Sequence, residues 1–440
     1  MKSAFIVSRP ALLSSLVLAL GFVRMAVAQE ALPAELGPAS GATLSQHEIE
    51  ALRGPAGAPG AVPVTSEEAE TPRRFNYTLS VSVRGVYDDN IFVSSFNRQS
   101  DFYFSIEPII TIGLGGDSSQ GASGLSLTYR PGLFLFIDHS DENTIQHLIR
   151  LQGLHNFGRL TVSLSQDVQI LDGADLNSLS DPTGHNANID VSQRTKHNIF
   201  ATLISDTYDL TGKLFLSNSF GLTIDDYESS FIGSQNISGN LFLNYNYSEK
   251  LVIGLGGTGG YNTVDEGSPD QTYEQANLRI SYGATGKISL SGSVGAEFRQ
   301  FANDSSGSHI SPVFELNASY KPFDGTSISL SGDRRIQNSA SLSGQDYTTT
   351  NFHLTLNQRF LRRFALGLAV GYERSQYFST IQGLTATRDD DYYYVQPTVD
   401  ATIMRWWTAG LYYTYRKSSS SLAFFGFDDN QFGLRTMITF

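Results

Sequence analysis

The sequence predicts an all-β fold: a transmembrane, antiparallel, up-and-down β-barrel of about eighteen strands. Three observations predict it. Apolar and polar residues alternate with a period of two along most of residues 74–440. The connections between alternating runs are themselves alternately short and long. Charged residues are 17% of the chain, below the roughly 25% of a soluble domain, yet beyond residue 28 no apolar run is long enough for a spanning helix.

Residues 1–28 read as a secretory signal peptide. Lys2 and Arg9 supply the positive start, Ala11 to Val23 the apolar core, and Ala26-Val27-Ala28 a small-x-small cleavage site. Arg24 closes the apolar run after about thirteen residues, short of the ~20 that a spanning helix needs. Residues 29–73 are rich in Ala, Pro, Gly and Glu and nearly free of aromatics. Such a composition buries little apolar surface, so a flexible periplasmic linker is expected.

From Phe75 the texture changes. Phe75, Tyr77, Leu79, Val81 and Val83 share one face, and Asn76, Thr78, Ser80, Ser82 and Arg84 the other. Equivalent runs place strands near 74–87, 101–114, 122–137, 144–157, 159–171, 191–205, 207–224, 235–247, 250–262, 271–284, 287–301, 309–320, 326–337, 347–360, 363–378, 391–404, 406–417 and 430–440. Short turns are expected at Asn156-Phe157-Gly158, Ser205-Asp206-Thr207, Ser248-Glu249-Lys250, Ala284-Thr285-Gly286, Leu361-Arg362 and Arg405. Longer segments such as 88–100, 172–190, 225–234, 338–346, 379–390 and 418–429 fall between them, as in barrels with short periplasmic turns and long external loops. Aromatics near strand ends, among them Tyr87, Phe157, Tyr247, Tyr261, Trp406 and Trp407, suit the two membrane interfaces.

Alternation also sorts the charges. Arg84, Arg130, Arg150, Arg194, Lys213, Arg279, Arg299 and Arg435 fall on the polar face with Glu107, Glu297, Glu315 and Glu373. A charge at the lipid midplane costs about 2–4 kcal/mol, so these residues are the candidate lumen lining. They form either a selectivity-setting field or a ladder of salt bridges that stiffens the wall. Lys196, Arg359, Asp167, Asp209, Asp333 and Asp400 share that parity, so the signs nearly balance, and the small basic excess suggests weak anion preference. Tyr103, Phe134, Phe136, Phe200, Phe215, Phe242, Tyr392, Tyr394 and Tyr412 are expected on the lumen side as well, chiefly as filling.

No motif implies a catalytic residue, a cofactor or a metal site. There is no cysteine, which removes thiolate chemistry. The net charge of −13 argues against nucleic-acid binding. His139, flanked by Asp138 and Asp141, is the best of eight scattered histidines for a rim hydrolase, but no nucleophile motif accompanies it. The Gly254–Gly260 run lacks the Lys-Ser/Thr ending of a phosphate loop and reads as close-packing glycine. Acidic clusters at Asp88-Asp89-Asn90, Asp225-Asp226, Asp389-Asp390-Asp391 and Asp428-Asp429-Asn430 read as solvated external loops, with divalent ions the alternative.

Two segments resemble known families. The last strand carries Phe432, Leu434, Thr436, Ile438 and Phe440 on one face. An alternating strand ending in Phe440 resembles the C-terminal signature of bacterial outer-membrane barrels, which implies recognition by their assembly machinery. Tyr87-Asp88-Asp89-Asn90-Ile91-Phe92 resembles the opening of a large family of outer-membrane β-barrel porins, in which an Asp-Asn-Ile motif follows the first strand and a mid-strand proline, here Pro108, marks the second. Some of its members resemble outer-membrane proteins of exopolysaccharide operons. The resemblance spans about residues 75–440 and implies a Gram-negative outer membrane, with lipid and lipopolysaccharide as surroundings. It carries over no catalytic residue. The expected function is a porin-like passive channel for a small hydrophilic solute. An accessory role in exopolysaccharide export and a structural or adhesive barrel with a closed lumen are the alternatives.

Overall fold

In the computed structural model, residues 75–116, 123–173, 190–191, 195–228, 231–265, 267–302, 307–386 and 388–440 are described. The expected signal peptide, the 29–73 linker and Arg194 lie outside them. Eighteen strands are formed among the described residues: β1 Phe75–Asp88, β2 Asp101–Gly115, β3 Gly124–Phe136, β4 Thr144–Asn156, β5 Leu160–Gly173, β6 Thr195–Asp209, β7 Leu214–Tyr227, β8 Ser234–Ser248, β9 Leu251–Val264, β10 Gln271–Thr285, β11 Ile288–Phe301, β12 Ser308–Tyr320, β13 Thr326–Asn338, β14 Gln345–Phe360, β15 Phe364–Ser379, β16 Asp389–Met404, β17 Trp407–Ser420 and β18 Phe427–Thr439.

Each strand pairs antiparallel with its neighbours in sequence, and β1 pairs with β18, so the sheet closes on itself. The closing register runs from Ser80 opposite Thr439 to Asp88 opposite Gln431. The Phe440 N–H extends it by donating to the Leu79 carbonyl at 2.8 Å. A closed sheet leaves no strand edge, which is the condition for a β-structure in hydrocarbon. Strands of 13–16 residues exceed the ~9–11 that cross a bilayer, so the wall outreaches the apolar layer.

The two faces separate cleanly. Leu241, Leu243, Leu255, Leu278, Ile280, Leu411 and Leu434 are exposed on the outside. Between them the inward positions are buried, as in β8, where Ser238, Asn240, Phe242 and Asn244 alternate with exposed Ile237, Leu241, Leu243 and Tyr245. Tyr87, Tyr261, Phe157, Tyr247 and Trp406 are exposed near strand ends, where an interface girdle requires them.

The ends differ as expected. At one end the connections are tight: 249–250, 286–287 and 405–406 have two residues each. Leu361 and Arg362 turn the β14–β15 hairpin with φ of 50° and 59°, the left-handed pair whose twist matches the flanking strands. Residues 116–123 make a longer connection at this end and are described only in part. At the other end lie 89–100, 174–194 and 380–388.

Four expectations need correction. The turn between β6 and β7 is residues 210–213, not 205–207. Ser205 is a buried inward strand residue whose hydroxyl meets Ser163 Oγ at 2.6 Å, and Asp206 accepts from Asn218 Nδ2 at 2.9 Å. The triplet thus imitates a turn because Ser205 and Thr207 belong to the polar inner face, while Asp206, on the outer face, is bonded to Asn218 close to the true turn. Lys213 therefore lies exposed in the turn, not on the inner wall. The parity of β6 follows from buried His197, Ala201 and Ser205, so Phe200 and Lys196 face outward. The acidic clusters, read as loops, lie mainly in strand ends: Asp88 in β1, Asp225 and Asp226 in β7, Asp389–Asp391 in β16, and Asp428 and Asp429 in β18.

The Gly254–Gly260 run lies in β9, and its inward glycines make room for neighbours. A Cβ on Gly256 would sit 2.2 Å from the Leu241 carbonyl oxygen and 2.5 Å from the Phe242 ring, whereas one on Gly283 would meet nothing within 4 Å. Gly256→Ala is therefore expected to lower barrel stability by about 1–3 kcal/mol through overpacking. Gly283→Ala should change it by under about 0.5 kcal/mol. Urea unfolding of the refolded barrels in detergent checks the pair.

Candidate functional site in the barrel interior

The inner wall is built by the inward half of every strand, and its charges are paired. Glu107 of β2 is the centre of one group. Its Oε1 accepts from Arg84 Nε at 2.7 Å and from Ser105 Oγ at 2.7 Å, with Arg84 Nη2 also bonded to it. Its Oε2 accepts from Arg130 Nη2 at 2.8 Å. The strand register brings these together: Arg84 lies opposite Ser105, two residues from Glu107 on the same face. Across the closing seam Arg84 faces Arg435, a like-charge pairing that would repel. Each has its own carboxylate instead. Arg435 is held by Asp400 through two parallel bonds of 2.9 and 2.6 Å.

Further round the wall Arg150 Nε donates to Asp167 at 2.5 Å. Arg299 donates to Glu297 at 2.7 Å and to Gln271 at 2.7 Å, and its guanidinium lies 5.0 Å from the Tyr273 ring centre. Arg279 is different. It donates to Asn244 at 2.7 Å and to Ser217 at 2.5 Å and sits over the Phe242 ring at 4.3 Å. It has no carboxylate partner among the described residues. Glu315 and Glu373 are half-buried, and accept from Asn317 at 3.1 Å and Ser375 at 3.3 Å respectively. The structure thus places ten of the twelve candidate residues on the inner face. Lys213 is in a turn, and Arg194 is outside the described residues.

Toward the long-loop end the interior carries an apolar cluster. Tyr103, Phe134, Phe136, Tyr392, Tyr394, Tyr412 and Phe427 pack with Val86 and with Ile91 and Val93 of the 89–100 connection. The Asp-Asn-Ile segment explains how that connection turns inward. Asp88 Oδ1 accepts the Asn90 N–H at 2.7 Å, and the Asn90 amide donates to the Ser94 carbonyl at 2.9 Å and the Asp428 carbonyl at 3.0 Å. Ile91 is then fully buried. The motif is a loop anchor tied to the last strand.

Sequence reasoning missed a second anchor. Asp190, in the β5–β6 connection, reaches groups on the far side of the eighteen-strand ring. It accepts from Ser339 Oγ at 2.8 Å, the Ala340 N–H at 2.6 Å, Ser341 Oγ at 2.9 Å and Tyr377 OH at 2.9 Å. Arg388, fully buried, donates to the Asp190 carbonyl at 2.9 Å and to Asp390 at 2.8 Å, and stacks over Phe425 at 3.6 Å. The Ile232 N–H crosses to the Ala340 carbonyl at 2.8 Å. Only Asp190 within a loop of small and acidic residues could have signalled this, and nothing local names its partners.

The basic excess behind the expected anion preference does not survive. Buried carboxylates include Asp88, Asp101, Asp190, Asp346, Asp390 and Asp429 besides Glu107, Asp167, Glu297, Asp333 and Asp400, and they outnumber buried arginines among the described residues. Most of the additional acids come from strand ends at the long-loop end, which alternation counts in mid-strand do not weigh. His139 Nδ1 lies 2.9 Å from Asp101 Oδ2, and no serine hydroxyl is bonded to it among the described residues.

No family model matches the sequence, and no curated protein does. Among solved structures, Pseudomonas aeruginosa OpdK crystallised with vanillate is similar at 10% identity and a TM-score of 0.43, over 83% of this chain and 99% of that one. Acinetobacter baumannii OccAB3 matches at 8% identity and 0.43, over 83% and 100%. Pseudomonas aeruginosa OccK11 (OpdR) matches at 14% identity and 0.40, over 83% and 96%. At such identities and scores nothing about a solute passes from them to this chain.

Glu107→Gln keeps the shape of the central group but leaves Arg84 and Arg130 without their counter-charge. A loss of about 3–5 kcal/mol in barrel stability is expected if the group is dry. A loss below about 1 kcal/mol by urea unfolding would mean that water already screens it.

Proposed function

We propose that this protein is a non-enzymatic barrel of the Gram-negative outer membrane that passes small hydrophilic solutes passively, as porins do. The observation that carries the reading is a closed eighteen-strand wall with an apolar outer face and a charged inner face. Eighteen strands enclose a lumen wide enough for water, and only a sealed cylinder satisfies both faces in lipid. The short-turn end faces the periplasm, and residues 29–73 lie on that side. Lipid and lipopolysaccharide surround the wall. Assembly is directed by the last strand, whose terminal Phe440 is 74% exposed and so open to a receptor.

The excess of buried carboxylates toward the long-loop end supports preference for cations over anions at the external mouth. A second reading is favoured by the aromatic packing around Tyr103 and by the Asp190 anchor. In that reading the lumen is closed and the barrel is structural or adhesive. The exopolysaccharide accessory role has the Asp-Asn-Ile resemblance in its support, now with a loop-anchoring role for those residues.

Single-channel recording of the refolded protein in planar bilayers separates the two readings. Discrete ohmic steps with a cation-preferring reversal potential in a salt gradient are expected. Silence from correctly folded barrels would favour the closed reading, and anion preference would overturn the charge assignment. Deleting Phe440 is expected to reduce the level of assembled barrel in cells while leaving refolding in detergent unchanged. Equal levels in cells would remove Phe440 from the assembly signal.

A further inference from the structure

Two of the acidic clusters meet at the seam that closes the barrel. β1 ends in Asp88, followed by Asp89, and β18 carries Asp429 beside them. One carboxylate oxygen from each of the three lies within 4.8 Å of the others. Asp88 and Asp429 are both fully buried, which is unusual for carboxylates that crowd one another.

The hydrogen bonds leave one oxygen over. Asp88 accepts from the Asn90 N–H at 2.7 Å and from Gln431 Nε2 at 2.9 Å. Asp89 accepts from the Asn430 N–H at 2.8 Å and its Nδ2 at 2.7 Å. Asp429 Oδ2 accepts from Arg416 Nε at 2.7 Å, Arg416 Nη2 at 2.5 Å and Gln431 Nε2 at 3.1 Å. Asp429 Oδ1 is equally buried and accepts from nothing.

Charge points the same way. Three carboxylates meet one guanidinium, that of Arg416, which is paired with Asp429; Asp88 and Asp429 are buried, and Asp89 is half-buried at the edge. The other nearby cations are committed or remote from the three. Arg98 pairs with Asp428, and Lys417 lies opposite Asp428 in the β17–β18 register. Amide donors orient the oxygens but do not cancel their charge.

We propose that Asp88, Asp89 and Asp429 bind a divalent cation, calcium, which ties the first strand of the barrel to the last at the long-loop end. Calcium suits the site because it accepts carboxylates of irregular geometry and completes its shell with water, whereas magnesium demands a near-ideal octahedron. The proposal does not depend on whether the lumen conducts. A bound ion contributes to the native state by mass action, so the closure is more stable when calcium is present.

The test uses the purified, refolded protein in detergent free of lipopolysaccharide, stripped with EDTA. Terbium is the first probe. Tyr413, whose hydroxyl donates to Asn430 Oδ1 at 2.7 Å, stands beside the site as a sensitiser. Saturable tyrosine-sensitised terbium emission, displaced by calcium, is expected, with a higher melting temperature in calcium than in EDTA. D88N and D429N should each weaken binding by about tenfold or more, as loss of a carboxylate ligand does. Should either fail to refold, D89N at the half-buried edge serves in its place. Absence of displaceable emission in the parent protein together with equal melting in calcium and EDTA overturns the proposal. So does emission that all refolding variants retain undiminished, since the ion would then sit elsewhere.

Discussion

The structure depends on the backbone hydrogen bonds that join β1 to β18. Seventeen hairpin-like contacts can form between sequence neighbours without them, but the outer face would then end in two open edges. In hydrocarbon every unpaired N–H and C=O costs several kcal/mol, so the wall is stable only when complete. The register from Ser80–Thr439 to Asp88–Gln431 meets that requirement, and Phe440 extends it by one bond. The inner groups are also organised about this seam. Arg84 and Arg435 face each other across it, and each is drawn aside by its own carboxylate.

Closure creates an interior that must hold its own charges. The solution is local and repetitive. An arginine on one strand meets a carboxylate on the same strand, on the next or, for Arg435 and Asp400, two strands away, and serine, asparagine and glutamine fill the remaining valences. Such groups stiffen the wall as much as they set a field. Arg279, held by neutral groups and the Phe242 ring, is the exception, with no carboxylate partner among the described residues. At the long-loop end apolar packing joins the polar lining. Ile91 and Val93 enter from one connection, and Asp190 spans to the opposite rim from another. The protein therefore combines a closed eighteen-strand wall of paired charges with an end into which its own loops pack.

Period-two alternation determined most of the fold by itself. It set which residues share a face and where strands run, mostly within a few residues, because a residue on a strand can face only two ways and lipid tolerates one kind of side chain. It also set the identity of ten inner-wall charges, from Arg84 to Arg435, for the same reason. It failed at β6, where Ile199 and Leu203 on one parity compete with Phe200 and Ile204 on the other. There buried His197 and Ser205 and the pairing with β5 and β7 decide the face, and Lys213 falls in a turn.

Tertiary structure alone decided what the loops do. The pairing of Asp190 with Ser339 links residues 149 positions apart, and that of Asn90 with the Asp428 carbonyl spans 338. No local pattern carries such distances, because these contacts exist only once eighteen strands have brought the chain round a ring. The same holds for Asp88, Asp89 and Asp429. Each cluster reads in sequence as a solvated acidic end, and only closure of the ring turns the two into one group of three carboxylates beside a single guanidinium.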